Sequence, residues 1–156
     1  MKIKYFFLLN LILFGSPLYA QNDGEDIAIG KYRVIQSDIL NEERRMLVHL
    51  PLGYEDTELS YPVVFHLYGD FLTTYFTEAV TVTERMFDAG LMPQVILVGV
   101  DNTDRYRDLR PLDRAGNLGG SNKFAEYFKE ELIPFLERHY RIEEYHVLVG
   151  PQAGAC

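Results

Sequence analysis

Three uninterrupted apolar runs, Val63–Leu67, Val95–Val100 and His146–Val149, constrain the fold of this chain more than any other feature. None of them alternates polar with apolar residues, so each is buried on both faces, as parallel strands covered by helices are. The segments between them have helical periodicity. Thr74–Ala89 carries Phe76, Ala79, Val80, Met86 and Phe87 on one face, with Gly90 placed to end the helix in a left-handed turn. Asn122–Tyr140 carries Phe124, Phe128, Leu132, Phe135 and Leu136 as a stripe, with Ser121 or Asn122 as N-cap and Pro134 expected to kink or restart it. Ahead of these lie two alternating stretches, Tyr32–Ile35 and Arg45–Leu50, separated by the turn residues Asp38 and Asn41, which read as an antiparallel strand pair. The predicted order is two antiparallel strands followed by strand, helix, strand, helix, strand. That is a half-wound α/β sheet.

With 156 residues the chain has room for one domain. Met1–Ala20 stands apart from it. Lys2 and Lys4 precede an apolar run from Tyr5 to Phe14, and Gly15, Ser16, Pro17 and Ala20 follow, the pattern of a secretory signal cleaved before Gln21. The run is short for a membrane anchor, which needs about 20 apolar residues. The expectation is a secreted or periplasmic product, residues 21–156, without a membrane span after cleavage. The formal charge of −8 sets it against a polyanion, so no nucleic-acid partner is expected. A single cysteine, Cys156, excludes an intramolecular disulfide framework and a cysteine-built zinc site.

The last apolar run enters Gly150-Pro151-Gln152-Ala153-Gly154. A strand running into Gly-x-Ser-x-Gly is the nucleophile elbow of α/β hydrolases, which holds a serine on a strained strand-to-helix turn. Here the glycines Gly150 and Gly154 are in place and Gln152 occupies the serine position. A carboxamide neither deprotonates near neutral pH nor forms an acyl intermediate. Taken alone, two glycines four apart are also a common coincidence.

Further stretches make the frame more specific. Tyr61–Asp70 (YPVVFHLYGD), Val98–Leu109 (VGVDNTDRYRDL), Gly119–Phe124 (GGSNKF), Glu131–Phe135 (ELIPF) with Tyr140, and the final Gly-x-x-x-Gly stand in this order along the chain. Together they resemble the esterase group of the α/β-hydrolase superfamily that includes esterase D and the enterochelin esterases, over about Lys31 to Gly154. The resemblance implies the N-terminal part of an α/β-hydrolase sheet, incomplete, with its third strand flanked by the fourth and fifth. It also implies a small-molecule ester as substrate, no cofactor, and an oxyanion hole built from backbone N–H groups of Ala153 and of the loop Gly69-Asp70-Phe71.

The triad acid and histidine would follow the nucleophile in chain order. His49, His66, His139 and His146 all precede Gln152. His66, on a buried strand, reads as a core histidine before a catalytic one. Asp101, Asp104 and Asp108 miss the EF-hand spacing, and Arg105, Arg107 and Arg110 stand by to neutralise them, so no metal is expected there. Cys156 is displaced from the nucleophile position. The reading is a secreted ester hydrolase of this family, catalytically incompetent as written; the alternative is a non-catalytic relic of the fold that binds a ligand or partner. The resemblance implies a sixth strand beside the fifth; without it residues 145–149 form an exposed apolar edge that invites self-association.

Overall fold

The computed structural model describes residues 28–67, 72–101, 104–112, 116 and 119–150. Among the described residues five strands form one sheet in the order β1-β2-β4-β3-β5, with β1 Lys31–Ser37, β2 Glu42–His49, β3 Tyr61–His66, β4 Ile96–Val100 and β5 Ile142–Val149. β1 and β2 pair antiparallel, and β2 pairs antiparallel with β4 through Met46↔Val100 and Val48↔Val98. β3 lies between β4 and β5 and is parallel to both, with Phe65 opposite Val98 on one side and Leu148 on the other. The parallel strands are the three apolar runs. β5 begins earlier than its apolar run, at Ile142, because its first residues continue the ladder with Tyr61 despite their charge.

Helices cover both faces. Phe124, Tyr127, Leu132 and Leu136 pack on the face built by Met46, Val48, Val63, Phe65, Ile96 and Val98. On the other face α1 (Leu72–Asp88) inserts Phe76 between Leu47 and Leu97. This two-sided cover is why all five residues of β4 are buried. Helix α1 ends as predicted: Gly90 has φ 70°, its N–H donates to the Phe87 carbonyl, and the Leu91 N–H donates to that of Met86. Those two bonds satisfy carbonyls that the helix leaves open at its end.

The second helical region departs from the expectation of one helix over Asn122–Tyr140. It runs as α3 (Ser121–Tyr127), a π-helical turn (Phe128–Leu132) and α4 (Ile133–His139). Pro134 lies at the start of α4, where its missing N–H and its ring forbid a regular turn before it. The Ile133 N–H instead reaches back five residues to the Phe128 carbonyl. The N-cap is Gly120, not Ser121 or Asn122, and no side chain caps the helix. The wide turn has a use in packing. It presents Glu131 to the β1–β2 turn, where its carboxylate accepts from the Asp38 N–H at 2.9 Å, the Ile39 N–H at 3.1 Å and the Ser37 hydroxyl at 2.5 Å.

Among the described residues no helix is long and apolar enough to cross a membrane.

Candidate active site

The parallel pairing of β3 with β5 decides which parts of the sequence meet. The two strands end together, with the Leu67 N–H donating to the Val149 carbonyl at 2.8 Å. A Cβ built on Gly150 would touch the Leu67 Cβ at 3.4 Å, an ordinary contact, and Gly150 has no positive φ. Among the described residues, then, nothing forbids a side chain at Gly150, the position expected to open the elbow. Gln152, Ala153 and Gly154, and the loop Gly69, Asp70 and Phe71, lie outside the described residues.

Against these strand ends lies a cavity of 280 Å³ whose walls include Leu67, Asp108, Leu109, Phe124, Phe128 and Leu148. It sits at the carboxyl ends of β3 and β5, where open α/β sheets bind their ligands. A larger cavity, 520 Å³, lies against His49 and Glu84. His49 pairs with Leu97 near the start of β4, so that cavity belongs to the opposite end of the sheet.

The wall beside the first cavity is built by the segment between β4 and α3. That segment contains a short helix, α2 (Arg105–Leu109). Asp104 caps this helix by accepting from the N–H groups of Tyr106 and Arg107. The loop closes on itself where the Gly119 and Gly120 N–H groups donate to the carbonyls of Pro111 and Arg107, both at 2.8 Å. Gly119 is required there, since a Cβ would stand 2.0 Å from the Arg110 carbonyl oxygen.

The three aspartates are not drawn together for a cation. Asp101 meets Arg45 of β2 at 2.9 Å and Asp104 is the cap. Asp108, 1% exposed, is held by Arg44 at 2.8 Å and by Arg107 at 2.9 Å. Glu42 accepts from the same two arginines, at 2.6 and 2.7 Å. The Arg107 hydrogen bond is the main cause holding the Glu42 carboxyl below its usual range, and the same bond raises Arg107. Arg107 neutralises Asp108 as the sequence suggested, but Arg44 and Arg45 come from a distant strand. The signal of Arg44 was legible: it shares the inward parity of Met46 and Val48, and a charge on an apolar face requires a partner.

His66 is 6% exposed and lines a groove between α1 and β5 with Val64, Tyr75, Ala79, Val82 and Val149. Burial pushes its imidazole below the ordinary value of 6.5. The unfolded chain therefore takes up a proton at this histidine as pH falls through about 6.5 while the folded chain does not, so its contribution to stability is complete above that pH and is lost below it. His66→Gln, which cannot titrate, is expected to flatten this acid slope when urea midpoints are compared at about pH 7.5 and about pH 5.5. Equal slopes for the two proteins would remove His66 as the cause.

Residues 37–155 match the family described as Putative esterase. The chain belongs to that family. The solved structures it resembles include an IroE-like serine hydrolase from Shewanella oneidensis, 30% identical with a TM-score of 0.69 over 78% of this chain and 42% of that one. A ferulic acid esterase from Anaeromyces mucronatus, 20% identical, gives 0.62 over 86% and 53%. The enterobactin esterase from Shigella flexneri, 17% identical, gives 0.62 over 83% and 32%. At those last two identities the likeness shows the fold alone. The chain spans between a third and about half the length of these proteins. No curated protein matches it. The fold is accordingly the α/β fold of the esterases, over a part of its length.

Proposed function

We propose that residues 21–156 form the N-terminal, sheet-building part of an exported carboxylic-ester hydrolase domain, that residues 1–20 are its secretory signal, and that the chain as written does not turn over an ester. The observation that carries this reading is the side-by-side ending of β3 and β5 at Leu67 and Val149. In an esterase of this superfamily one oxyanion donor follows the third strand and the other follows the nucleophile after the fifth. Gly69, Asp70 and Phe71 leave the first of these strand ends, and Gln152 and Ala153 leave the second. The substrate class is a small-molecule carboxylic ester, in keeping with the neighbours named as ferulic acid and enterobactin esterases.

Backbone donors survive the loss of a serine, but Gln152 gives them no oxyanion to stabilise. The same residue favours a second reading, a fold that holds a ligand or partner without chemistry. Pro151 beside it also lacks a backbone donor.

The experiment is expression with the leader, followed by the mass of the exported product and its action on p-nitrophenyl acetate before and after Gln152→Ser. The expected results are a product beginning at Gln21 and no hydrolysis above background while Gln152 is present. Activity gained with Gln152→Ser means that an acid and a histidine reach the site, and the hydrolase reading stands. No activity in either form favours the binding reading. Turnover with Gln152 intact would contradict the assignment of the nucleophile position, and an unprocessed cytoplasmic product would end the case for export.

A further inference from the structure

The end of the sheet opposite the candidate site holds a histidine with both ring nitrogens engaged. His49 closes β2, and β4 and β3 stand between that strand and β5. Its Nδ1 lies 2.8 Å from the Ile29 carbonyl oxygen, and its Nε2 lies 3.2 Å from a carboxylate oxygen of Glu84 on α1. One ring thus joins three parts of the chain: the entry to β1, the end of β2 and the second half of α1.

Both partners are acceptors. A carbonyl oxygen can only accept, and so can a carboxylate, which glutamate carries throughout the range in which imidazole titrates. A neutral imidazole has one N–H and one lone pair, so in that form one of the two contacts sets lone pair against lone pair. The imidazolium donates at both nitrogens and adds its attraction to the Glu84 charge. Lys31 of β1 is the other charged side chain lining the cavity beside this ring, and Leu97, opposite His49 on β4, carries no charge.

The ring fastens the margin of the smaller core. Ile29 packs against the cluster of Leu47, Phe76 and Leu97, as do Ala79 and Val80 of α1. Glu84 is one turn beyond Val80 on the same face of that helix. The backbone next to Ile29 is closely seated, since a Cβ on Gly30 would stand 2.9 Å from the Val48 carbonyl oxygen.

We propose that His49 is a proton-operated latch: its imidazolium form ties the entry to β1 and the second half of α1 to the end of β2, and loss of the proton releases α1 from the ring while the sheet stays intact. Glu84 is the side released, because its carboxylate is 33% exposed and can turn to water, whereas the Ile29 carbonyl is held by the seating of the chain at Gly30. The latch is closed on the acid side and opens as pH rises through the imidazole range, between about 5 and 8. That direction is opposite to the loss on acidification that comes from His66.

The test is ring-nitrogen NMR and amide exchange on the full chain at about pH 5.5 and about pH 8, with Glu84→Gln and His66→Gln beside it. At the lower pH both His49 nitrogens are expected to carry protons, with the ring in contact with the Glu84 side chain. At the higher pH Nδ1 is expected to keep its proton, Nε2 to become a bare lone pair, and the contact with Glu84 to be lost. Protection factors over residues 80–88 should fall about fivefold between the two, the weight of one partly exposed ion pair. A glutamine at position 84 can donate to the bare Nε2 or accept from the protonated one, so Glu84→Gln should keep the fold and lose the pH dependence. His66→Gln should retain it, which separates the latch from the buried histidine. A neutral His49 ring at the lower pH, a Glu84 contact that survives at the higher one, or the same pH dependence in Glu84→Gln would each overturn the proposal.

Discussion

Arg44→Ala is expected to cost about 3–5 kcal/mol of stability, the range for leaving a buried charge without its partner. Arg44 is fully buried, and its guanidinium lies between the carboxylates of Asp108 and Glu42 with its Cζ 5.5 Å from the centre of the Phe124 ring. Two arginines and two acids, Arg44, Arg107, Glu42 and Asp108, balance in charge. Removing Arg44 leaves Asp108 with Arg107 alone, and that side chain is 41% exposed and therefore partly screened. Arg44→Met combined with Asp108→Leu removes both buried charges at similar volume and is expected to recover most of the loss, because the desolvation penalty disappears with them. Urea unfolding of Arg44→Met, Asp108→Leu and the double variant gives the coupling directly. A single-variant loss below about 1 kcal/mol would show that the network is worth no more than a surface ion pair. The consequence extends past stability, since this network fastens α2 and with it the wall of the cavity at the strand ends.

Phe76→Ala is expected to cost about 3–5 kcal/mol, the usual range for truncating a buried aromatic residue. Among the described residues the two faces of the sheet are unequally covered. One has a broad core under α3 and α4, whereas the buried residues of the other are Leu47, Phe76 and Leu97, with Val64, Ala79 and Val80 at their margin. Phe76 is the only one of those three that α1 supplies, and it is fully buried, while Val82, Met86 and Phe87 of the same helix are 38% exposed or more. Removing it should detach α1 before the sheet opens. Hydrogen exchange is expected to show protection lost along residues 74–88 while β3 and β4 stay protected. A uniform loss over helix and sheet would mean that α1 and the sheet unfold as one unit.

The sequence carried the architecture where its patterns reported burial directly. The apolar runs marked β3, β4 and the end of β5 because strands covered on both faces tolerate no polar alternation. Gly90 marked the end of α1 because a left-handed turn costs glycine little. The π-helical turn was half visible: Pro134 announced an irregularity, but its form depends on Glu131 reaching the backbone of the β1–β2 turn, more than ninety residues away in sequence. Gly120 as N-cap was invisible, because the position is fixed by its N–H bond to Arg107 and not by a capping side chain.

At the candidate site the division is sharper. Residue identity alone carries the proposal that Gln152 stands where the family places a serine, and no fold can make a carboxamide a nucleophile. Sequence order alone determined that no histidine follows it within these residues. Tertiary structure decided the rest: β3 and β5 end side by side, and Arg44 and Arg107 hold Asp108 from two sides. The reason is physical. Backbone conformation and burial periodicity are local and leave their mark within a few residues, whereas ion pairs and strand neighbours join segments that meet only after the sheet has formed.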